Sequence, residues 1–306
     1  VWLGELHFGR RSSILASPLM ILAAAAQRTK RIRLGTAVSL LPLHSPVKMA
    51  EEAATADILS GGRLEFGVGR GTAPIHYVGY NIPQEESRER FEEALEVILK
   101  AWTNDTFSYH GKYFQAEDLS VVPKPVQKPH PPLRLAANSP DTFAIGGRLG
   151  LPIFSSPLIN PPEKLHEHLA VHRETLKPGA RQDVALMFSV HVAESRAQAR
   201  EECETSLMNF FKAAGERLRP LGEKTIKGYE AFQQAIVKLE RATYEKVERM
   251  SVFGDPNYCV ERIRALQQEF QMDEFIGYFN QGGLIDPAIV KRSMELFAKD
   301  VMPHCR

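Results

Sequence analysis

The feature that most constrains this chain is a pattern repeated along it: a short apolar segment, a loop rich in Gly, polar or His residues, and then an amphipathic helix. Parallel strands need a crossover connection, usually a helix, so this alternation predicts a parallel β/α fold. Seven such strands are visible. They lie at residues 1–3, 32–35, 64–68, 133–135, 152–154, 184–192 and 275–278.

A closed barrel of this kind usually has eight strands. We therefore predict an α/β fold of the (β/α)8 TIM-barrel type with insertions, formed by residues 1–306 as one domain. Val1-Trp2-Leu3 has the character of the end of a buried strand. We accordingly expect the first βα unit, about 30 residues or more, to be missing from the N-terminus of this sequence.

Two segments interrupt the alternation. Residues 107–114 alternate aromatic and polar side chains around a Gly, which predicts a small hairpin, and a Pro-rich segment follows at 123–132. Residues 215–249 form a longer predicted helical insertion. Long insertions on barrels are commonly lids or partner surfaces.

Composition excludes several classes of protein. A net charge of +1 gives no electrostatic reason to expect nucleic acid or an anionic membrane surface as a partner. The longest apolar stretch is too short to span a bilayer. The three cysteines are far apart and have no CxxC spacing, so the sequence indicates neither a disulfide framework nor a metal site, and a reducing cytoplasm fits best.

In β/α barrels the chemistry lies on the loops that follow the strands. Glu5 and His7 are an acid and an imidazole two residues apart at such a strand end, and in an extended chain they point the same way. A shared catalytic pocket is one interpretation of this pair. A hydrogen-bonded core histidine is the other, and the sequence favours neither strongly.

Two further strand ends suggest anion binding. Arg70 lies between Gly69 and Gly71, where small neighbours let a guanidinium approach a phosphate. Asn138-Ser139-Pro140-Asp141-Thr142 begins a helix directly after a strand. Helix capping by Ser139 explains this second segment as well as an anion site does, so both interpretations stay open.

Other histidines carry weaker signals. His168 and His172 are four apart on a predicted helix, but no third ligand accompanies them, so we expect a solvated face rather than a metal site. His191, on a predicted strand, is a further candidate for lining the site. No G-x-S-x-G elbow occurs, and the glycines at 67–71 lack the spacing of a dinucleotide-binding turn.

At these residues the chain resembles the bacterial luciferase-like flavin monooxygenases, and the resemblance covers essentially the whole sequence. It implies a β/α barrel and chemistry based on reduced FMN or, in some branches, a deazaflavin. The segments that carry it are residues 2–8, 32–38, 57–71, 86–88, 123–132 and 296–303.

The resemblance also implies roles for single residues. Arg70, Ser139 and Thr142 match positions that hold the flavin phosphate, and Asn138 matches a position near the phosphate and ribityl chain. Thr36-Ala37-Val38 matches the segment under the flavin ring, with a non-proline cis peptide between Ala37 and Val38. Glu5 matches the acid of the family's Glu-His-His-Phe motif, and His7 is the candidate proton donor.

The sequence departs from the luciferase pattern at two positions. Leu6 replaces an active-site histidine and Gly69 replaces a reactive cysteine, so the resemblance implies flavin binding but not light emission from an aldehyde. The predicted function is an FMN-dependent monooxygenase that uses O2 on a small organic substrate and receives reduced flavin from a separate reductase. The alternatives are a deazaflavin-dependent dehydrogenase and a non-catalytic flavin-binding protein.

The resemblance further implies a homodimer, paired through the helices predicted at 46–59 and 84–102. The first of these carries an uncharged stripe of Met49, Ala53, Ala56 and Leu59. Packing of this stripe on the chain's own strands is the competing interpretation.

Overall fold

The computed structural model describes residues 1–9, 15–218 and 243–305, with side chains of the long helix described up to residue 214. The predicted insertion at 215–249 therefore lies largely outside the described residues. The chain divides into two compact units. Among the described residues, the first covers 1–136 and the second covers 137–218 and 243–305.

The first unit is built on parallel strands in the order β1-β2-β4-β7, with β3 also pairing with β4. A separate antiparallel hairpin joins β5 and β6. The strands are β1 Trp2–Leu3, β2 Leu34–Thr36, β3 Ser39–Leu40, β4 Leu64–Gly69, β5 Phe107–His110, β6 Gln115–Leu119 and β7 Leu133–Ala136. The helices are α1 Pro18–Arg28, α2 Pro46–Ser60, α3 Pro74–Gly79 and α4 Ser87–Thr103, with 3-10 turns at Leu41–Leu43 and Gln84–Glu86.

Arg63 ties α1 and α2 to the sheet. Its guanidinium donates to the carbonyls of Ala26, Thr29 and Ser60, at 3.0, 3.1 and 2.7 Å. These carbonyls lie at the C-terminal ends of α1 and α2, where helices leave carbonyl groups unsatisfied and favour a positive charge. One side chain thereby fixes the entry of β4, which ends at the candidate site.

The predicted hairpin is present, and Glu93 of α4 anchors it. The Glu93 carboxylate accepts hydrogen bonds from the backbone N–H groups of Lys112, Tyr113 and Phe114, at 2.8, 2.9 and 3.2 Å. Glu93 lies half-buried under the turn, where the three converging N–H groups satisfy its carboxylate.

The predicted stripe on α2 packs within the chain. Met49, Ala53 and Ala56 are buried, and only Leu59 of the stripe is exposed. The competing interpretation, packing within the chain, is therefore the correct one for three of the four residues. The stripe consequently gives no support to a dimer contact.

The second unit is also a parallel β/α arrangement, with β9 at its centre. β9 pairs with β8 through Val184–Leu186, with β11 through Ala185–Ser189 and with β10 through Ser189–Val192. The strands are β8 Ile153–Ser155, β9 Val184–Val192, β10 Ser251–Gly254 and β11 Glu274–Tyr278. The helices are α5 Pro140–Leu149, α6 Pro162–Glu174, α7 Arg196–Leu218, α8 Tyr244–Glu248, α9 Pro256–Phe270 and α10 Pro287–Leu296, with a π-helical turn at Phe297–Val301 and a 3-10 turn at Met302–His304.

Two sequence expectations fail in this unit. The short strand β10 was not predicted, so the count of seven strands was too low. His168 and His172 are buried rather than solvated: they share an apolar stripe with Leu165 and Leu169, and the ring of His172 hydrogen-bonds to the Phe143 carbonyl of α5 at 3.2 Å. Burial lowers the pKa of both histidines, which favours their neutral forms.

Within the part of the chain that the structure describes, no helix is both long enough and apolar enough to cross a membrane.

Candidate active site

Glu5 and His7 meet directly after β1, as their spacing predicts. Both are buried, and His7 Nε2 lies 2.6 Å from Glu5 Oε1. The backbone of Glu5 donates to the Val38 carbonyl at 3.3 Å, and Leu40 N–H donates to Glu5 Oε2 at 2.9 Å. The exit of β1 is therefore fixed beside the segment between β2 and β3.

A second histidine shares the carboxylate. His44, which follows the 3-10 turn after β3, places its Nε2 2.6 Å from the same Glu5 Oε1. Two ring N–H groups and one backbone N–H thus converge on a single buried carboxylate. Such hydrogen bonds to an ionised acceptor are short and strong.

The other side of His7 faces α3. The Tyr80 hydroxyl lies 3.2 Å from His7 Nδ1, and His7 N–H donates to His76 Nε2 at 3.3 Å. Because Nε2 of His7 donates to Glu5, Nδ1 of the neutral ring is an acceptor for the Tyr80 O–H. The tautomer of His7 is therefore set by its two neighbours.

Glu5 is held ionised. Burial by itself raises the pKa of this carboxyl, but the hydrogen bonds from His44 and His7 outweigh burial and lower the pKa to about 2. For Tyr80, burial and then the charge of Glu5 raise the pKa of the phenol, so its hydroxyl keeps its proton. The site can accept, hold and orient a proton at His7 next to a permanent negative charge.

Thr36, Ala37 and Val38 form a close-packed ledge beside Glu5. Thr36 is buried and donates to the Gly67 carbonyl at 2.7 Å, and the Ala37–Val38 peptide bond is cis. A Cβ added at Gly69 would lie 2.6 Å from Val38 Cγ2, so any larger residue there would force the Val38 side chain to shift. The backbone of β4 thereby approaches the ledge closely.

Arg70 follows this glycine at the end of β4. The Tyr77 hydroxyl donates to the Arg70 carbonyl, and Gly71 adopts a left-handed conformation with φ of 78°. The hydrogen bond from Tyr77 and the left-handed conformation of Gly71 together fix the backbone at Arg70 and directly after it. The first unit thus contains Glu5, His7, the ledge and Arg70.

Asn138, Ser139 and Thr142 lie in the second unit, at the start of α5. The hydroxyls of Ser139 and Thr142 are 2.9 Å apart, and the Ser139 side chain makes no capping bond to the helix backbone. Ser139 does occupy the N-cap position of α5, followed by Pro140, but capping by its side chain is not observed and does not account for its hydroxyl. Paired hydroxyls beside the N–H groups of a ten-residue helix have the chemistry of an anion site.

Sequence reasoning missed four residues around these groups: His44, His76, Tyr80 and Asn160. The buried Asn160 donates to Asn138 Oδ1 at 3.4 Å and to Ser155 Oγ at 3.2 Å. His44, His76 and Tyr80 are far from Glu5 in sequence, and no periodicity links them to it. A polar residue soon after a strand was the one available signal for His44.

His191 does not line an open site. It is buried, and its Nε2 lies 2.7 Å from Glu202 Oε2, while Arg292 pairs with the other oxygen of that carboxylate. A hydrogen bond to an internal carboxylate therefore accounts for this histidine.

The ligand atoms of Glu5, His7 and His44 all lie within 4.8 Å of one another. Two imidazoles and a carboxylate are a donor set that transition metals use. The sequence had combined only two of these three residues.

The family profile described as luciferase-like monooxygenase matches residues 1–271. The chain belongs to this family of flavin-dependent monooxygenases. It is 32% identical over 318 residues to limonene 1,2-monooxygenase of Rhodococcus erythropolis, covering 99% of this chain and 76% of that protein. It is 26% identical to the oxygenase component of a flavin-dependent trigonelline monooxygenase of Acinetobacter baylyi, covering 99% of this chain and 84% of the relative.

Solved structures agree on the fold. The oxygenating constituent of 3,6-diketocamphane monooxygenase of Pseudomonas putida, in complex with FMN, superposes with a TM-score of 0.80 at 21% identity, covering 100% of this chain and 88% of that one. The predicted TIM-barrel-like α/β fold class is confirmed. The enzyme class predicted from the resemblance, a flavin-dependent monooxygenase, is confirmed as well.

Each unit, taken by itself, offers a feature that suits part of a flavin. In the first unit, the ledge at 36–38 is a close-packed backbone surface without a protruding side chain at Gly69, which suits a flat, uncharged ring. In the second unit, the start of α5 offers paired hydroxyls, which suit a phosphate.

We predict that Glu5 makes stability depend on pH in the acidic range. Its folded pKa is depressed from 4.5 to about 2, so the stabilisation is complete above pH 4.5 and is lost as the pH falls towards 2. The shift corresponds to about 3 kcal/mol. In urea titrations, Glu5→Gln should be less stable than wild type at pH 7, and the difference should shrink between pH 4.5 and 3.

The exposed Glu92 supplies the control, since Glu92→Gln should track wild type throughout. A gap between Glu5→Gln and wild type that stays constant down to pH 3 would contradict the assignment.

Proposed function

We propose that the chain is an FMN-dependent monooxygenase that inserts oxygen into a small organic substrate. The proposal rests on two linked hydrogen bonds. One joins His7 to the Glu5 carboxylate, and the other joins Glu5 N–H to the Val38 carbonyl of the ledge at 36–38. A proton-holding pair adjacent to the surface assigned to the flavin ring is the arrangement that this chemistry needs.

The ledge would lie against the flavin ring, while Arg70, Ser139 and Thr142 would hold the phosphate, with Asn138 beside the ribityl chain. Reduced FMN, when bound, supplies the activation of O2. Arg70 contributes a charge-assisted bond, and the two hydroxyls contribute neutral hydrogen bonds. Asn160 orients Asn138 through its amide.

Reduced flavin would come from a separate reductase. The names of two relatives support this division of labour, because one is an oxygenase component and the other an oxygenating constituent. Mixing the purified chain with chemically reduced FMN tests the point: turnover without any NAD(P)H shows that this chain needs only the reduced cofactor.

His7 is the group assigned to proton transfer. Its Nδ1 faces the Tyr80 hydroxyl and its Nε2 is fixed on Glu5, so the ring can carry a proton next to a compensating charge. Glu5 orients the ring and stabilises its protonated form. The ledge and the other buried residues around Glu5 exclude water from one side of the Glu5–His7 pair.

We predict that Arg70→Ala weakens FMN binding much more than riboflavin binding. The lost contact is a charge-assisted hydrogen bond to phosphate, worth about 1.5–3 kcal/mol, or roughly 10–150-fold in affinity. Fluorescence titration with both ligands measures the difference. Equal losses for both ligands would place the Arg70 side chain away from the phosphate.

The same titration with a deazaflavin cofactor distinguishes the proposed FMN-dependent monooxygenase from the alternative, a deazaflavin-dependent dehydrogenase. Tighter binding of the deazaflavin than of FMN would favour a dehydrogenase.

We predict that His7→Ala lowers the product formed per reduced FMN consumed, while FMN affinity stays nearly unchanged. Proton transfer by a positioned side chain contributes about 10²–10⁴-fold. The missing product should appear as hydrogen peroxide. Because His7 is buried, a second variant, His7→Gln, keeps an N–H directed at Glu5 and separates packing from proton transfer.

Melting temperature is recorded for each variant. A His7→Ala protein that melts earlier but still couples flavin oxidation to product normally would assign His7 to packing alone.

We predict a homodimer with C2 symmetry, as the resemblance implies. The buried residues of the α2 stripe do not form its contact, so exposed residues on these helices, such as Leu59, would. Static light scattering at micromolar concentration should give twice the chain mass, and the mass of a single chain would refute the proposal.

A further inference from the structure

A buried amide supports the residue that precedes the N-cap of α5. Asn160 lies between β8 and α6 and is only 5% exposed. Its Nδ2 donates to Asn138 Oδ1 at 3.4 Å and to Ser155 Oγ at 3.2 Å. A side-chain NH2 group has two hydrogens, so both hydrogens of this group are used inside the protein.

The position of Asn160 does not depend on Asn138. The N–H of Asn160 donates to the Ser156 carbonyl at 2.9 Å, and the Ser156 hydroxyl donates to the Met187 carbonyl of β9 at 2.9 Å. Ser155, which accepts the other side-chain hydrogen of Asn160, is the last residue of β8 and is itself buried. Asn160 is therefore anchored to two strands and acts as a fixed donor to which the Asn138 side chain adapts.

The bond from Asn160 decides which way the Asn138 amide faces. An amide side chain carries an acceptor on one side and a donor on the other. Because Asn138 Oδ1 accepts from Asn160, the NH2 group of Asn138 is directed away from Asn160. Asn138 is only half-buried, which leaves its side chain accessible to a ligand. Residue 138 thus offers a ligand a donor, where a flipped amide would offer an acceptor.

A donor of fixed orientation suits a phosphate better than a sugar-like hydroxyl. Phosphate oxygens are strong acceptors with negative charge, so a flipped amide would turn its oxygen towards an anion and weaken binding. Ribityl hydroxyls both donate and accept, so they would bind either side of the amide. Of these two parts of FMN, the phosphate is therefore the one for which the orientation of Asn138 matters.

We propose that Asn160 is a positioning residue that holds the Asn138 NH2 group outward, as a hydrogen-bond donor to the phosphate of FMN. This role rests on the phosphate site proposed above, and it assigns Asn138 to the phosphate rather than to the ribityl chain. Asn160 itself does not touch the ligand. Its effect passes through Asn138, so the two residues are energetically coupled in phosphate binding.

A double-mutant cycle on the full chain tests this role. FMN and riboflavin affinities are measured by fluorescence titration for wild type, Asn138→Ala, Asn160→Ala and the double variant. Riboflavin lacks the phosphate, so the ratio of the two affinities reports on phosphate binding. Asn160→Leu is added because it keeps most of the buried volume while removing the donor. Asn104→Ala, at an exposed amide that bonds to the last turn of α4, is the control.

Each single alanine substitution should lower the preference for FMN over riboflavin by about tenfold, the scale of one hydrogen bond to a charged group. The double variant should show the loss of Asn138→Ala and no more, because Asn160 acts only through Asn138. Asn160→Leu should behave as Asn160→Ala does, and the control should match wild type.

Equal losses of FMN and riboflavin affinity in the Asn160 variants would overturn the proposal and leave Asn160 with a structural role. Losses that add in the double variant would overturn it too, because independent residues contribute additively. A wild type without any preference for FMN over riboflavin would remove the proposed phosphate site and the role of Asn160 with it. If wild type prefers FMN and the Asn160 variants keep that preference, the phosphate site stands and only the role of Asn160 falls.

Discussion

The candidate site depends on the Glu5 carboxylate being kept ionised inside the protein. A buried carboxylate is unfavourable unless hydrogen bonds replace its water, and three N–H groups from His7, His44 and Leu40 do so here. Those groups come from the exit of β1, from β3 and from the turn after β3. The same carboxylate therefore fixes the local chain path and gives His7 its electrostatic environment.

The strands were largely predictable because buried parallel strands appear as continuous apolar runs. β10 escaped prediction because Ser251 and Gly254 interrupt the apolar character of a four-residue segment whose burial comes from pairing with β9. The histidines of α6 were wrongly predicted to face solvent because they are polar residues. Their positions on the same helix face as Leu165 and Leu169 are what place them in the interior. In both cases tertiary packing, rather than the polarity of the individual residues, determines the structure and burial.

For the site, sequence spacing was sufficient to bring Glu5 and His7 together, since residues two apart share a face of an extended chain. Spacing could not bring in His44, which lies 39 residues from Glu5; Val38 and Leu40, which precede it, are the residues whose backbones hydrogen-bond to Glu5 and bring this segment beside it. The contact of Asn160 with Asn138 could not be predicted for the same reason, because Asn138 is 22 residues earlier in the chain. The individual roles of Arg70, Ser139 and Thr142 rest on the family resemblance and stay proposals.

The contact between Gly69 and Val38 has a consequence for how this site could change during evolution. Because Val38 Cγ2 would lie only 2.6 Å from a Cβ at position 69, the two positions are not independent. A thiol at 69, which the resemblance to luciferase associates with this position, would bring its Cβ against Val38, so the Val38 side chain would have to move or be replaced. The side chain at 38 therefore limits which residues position 69 can accept.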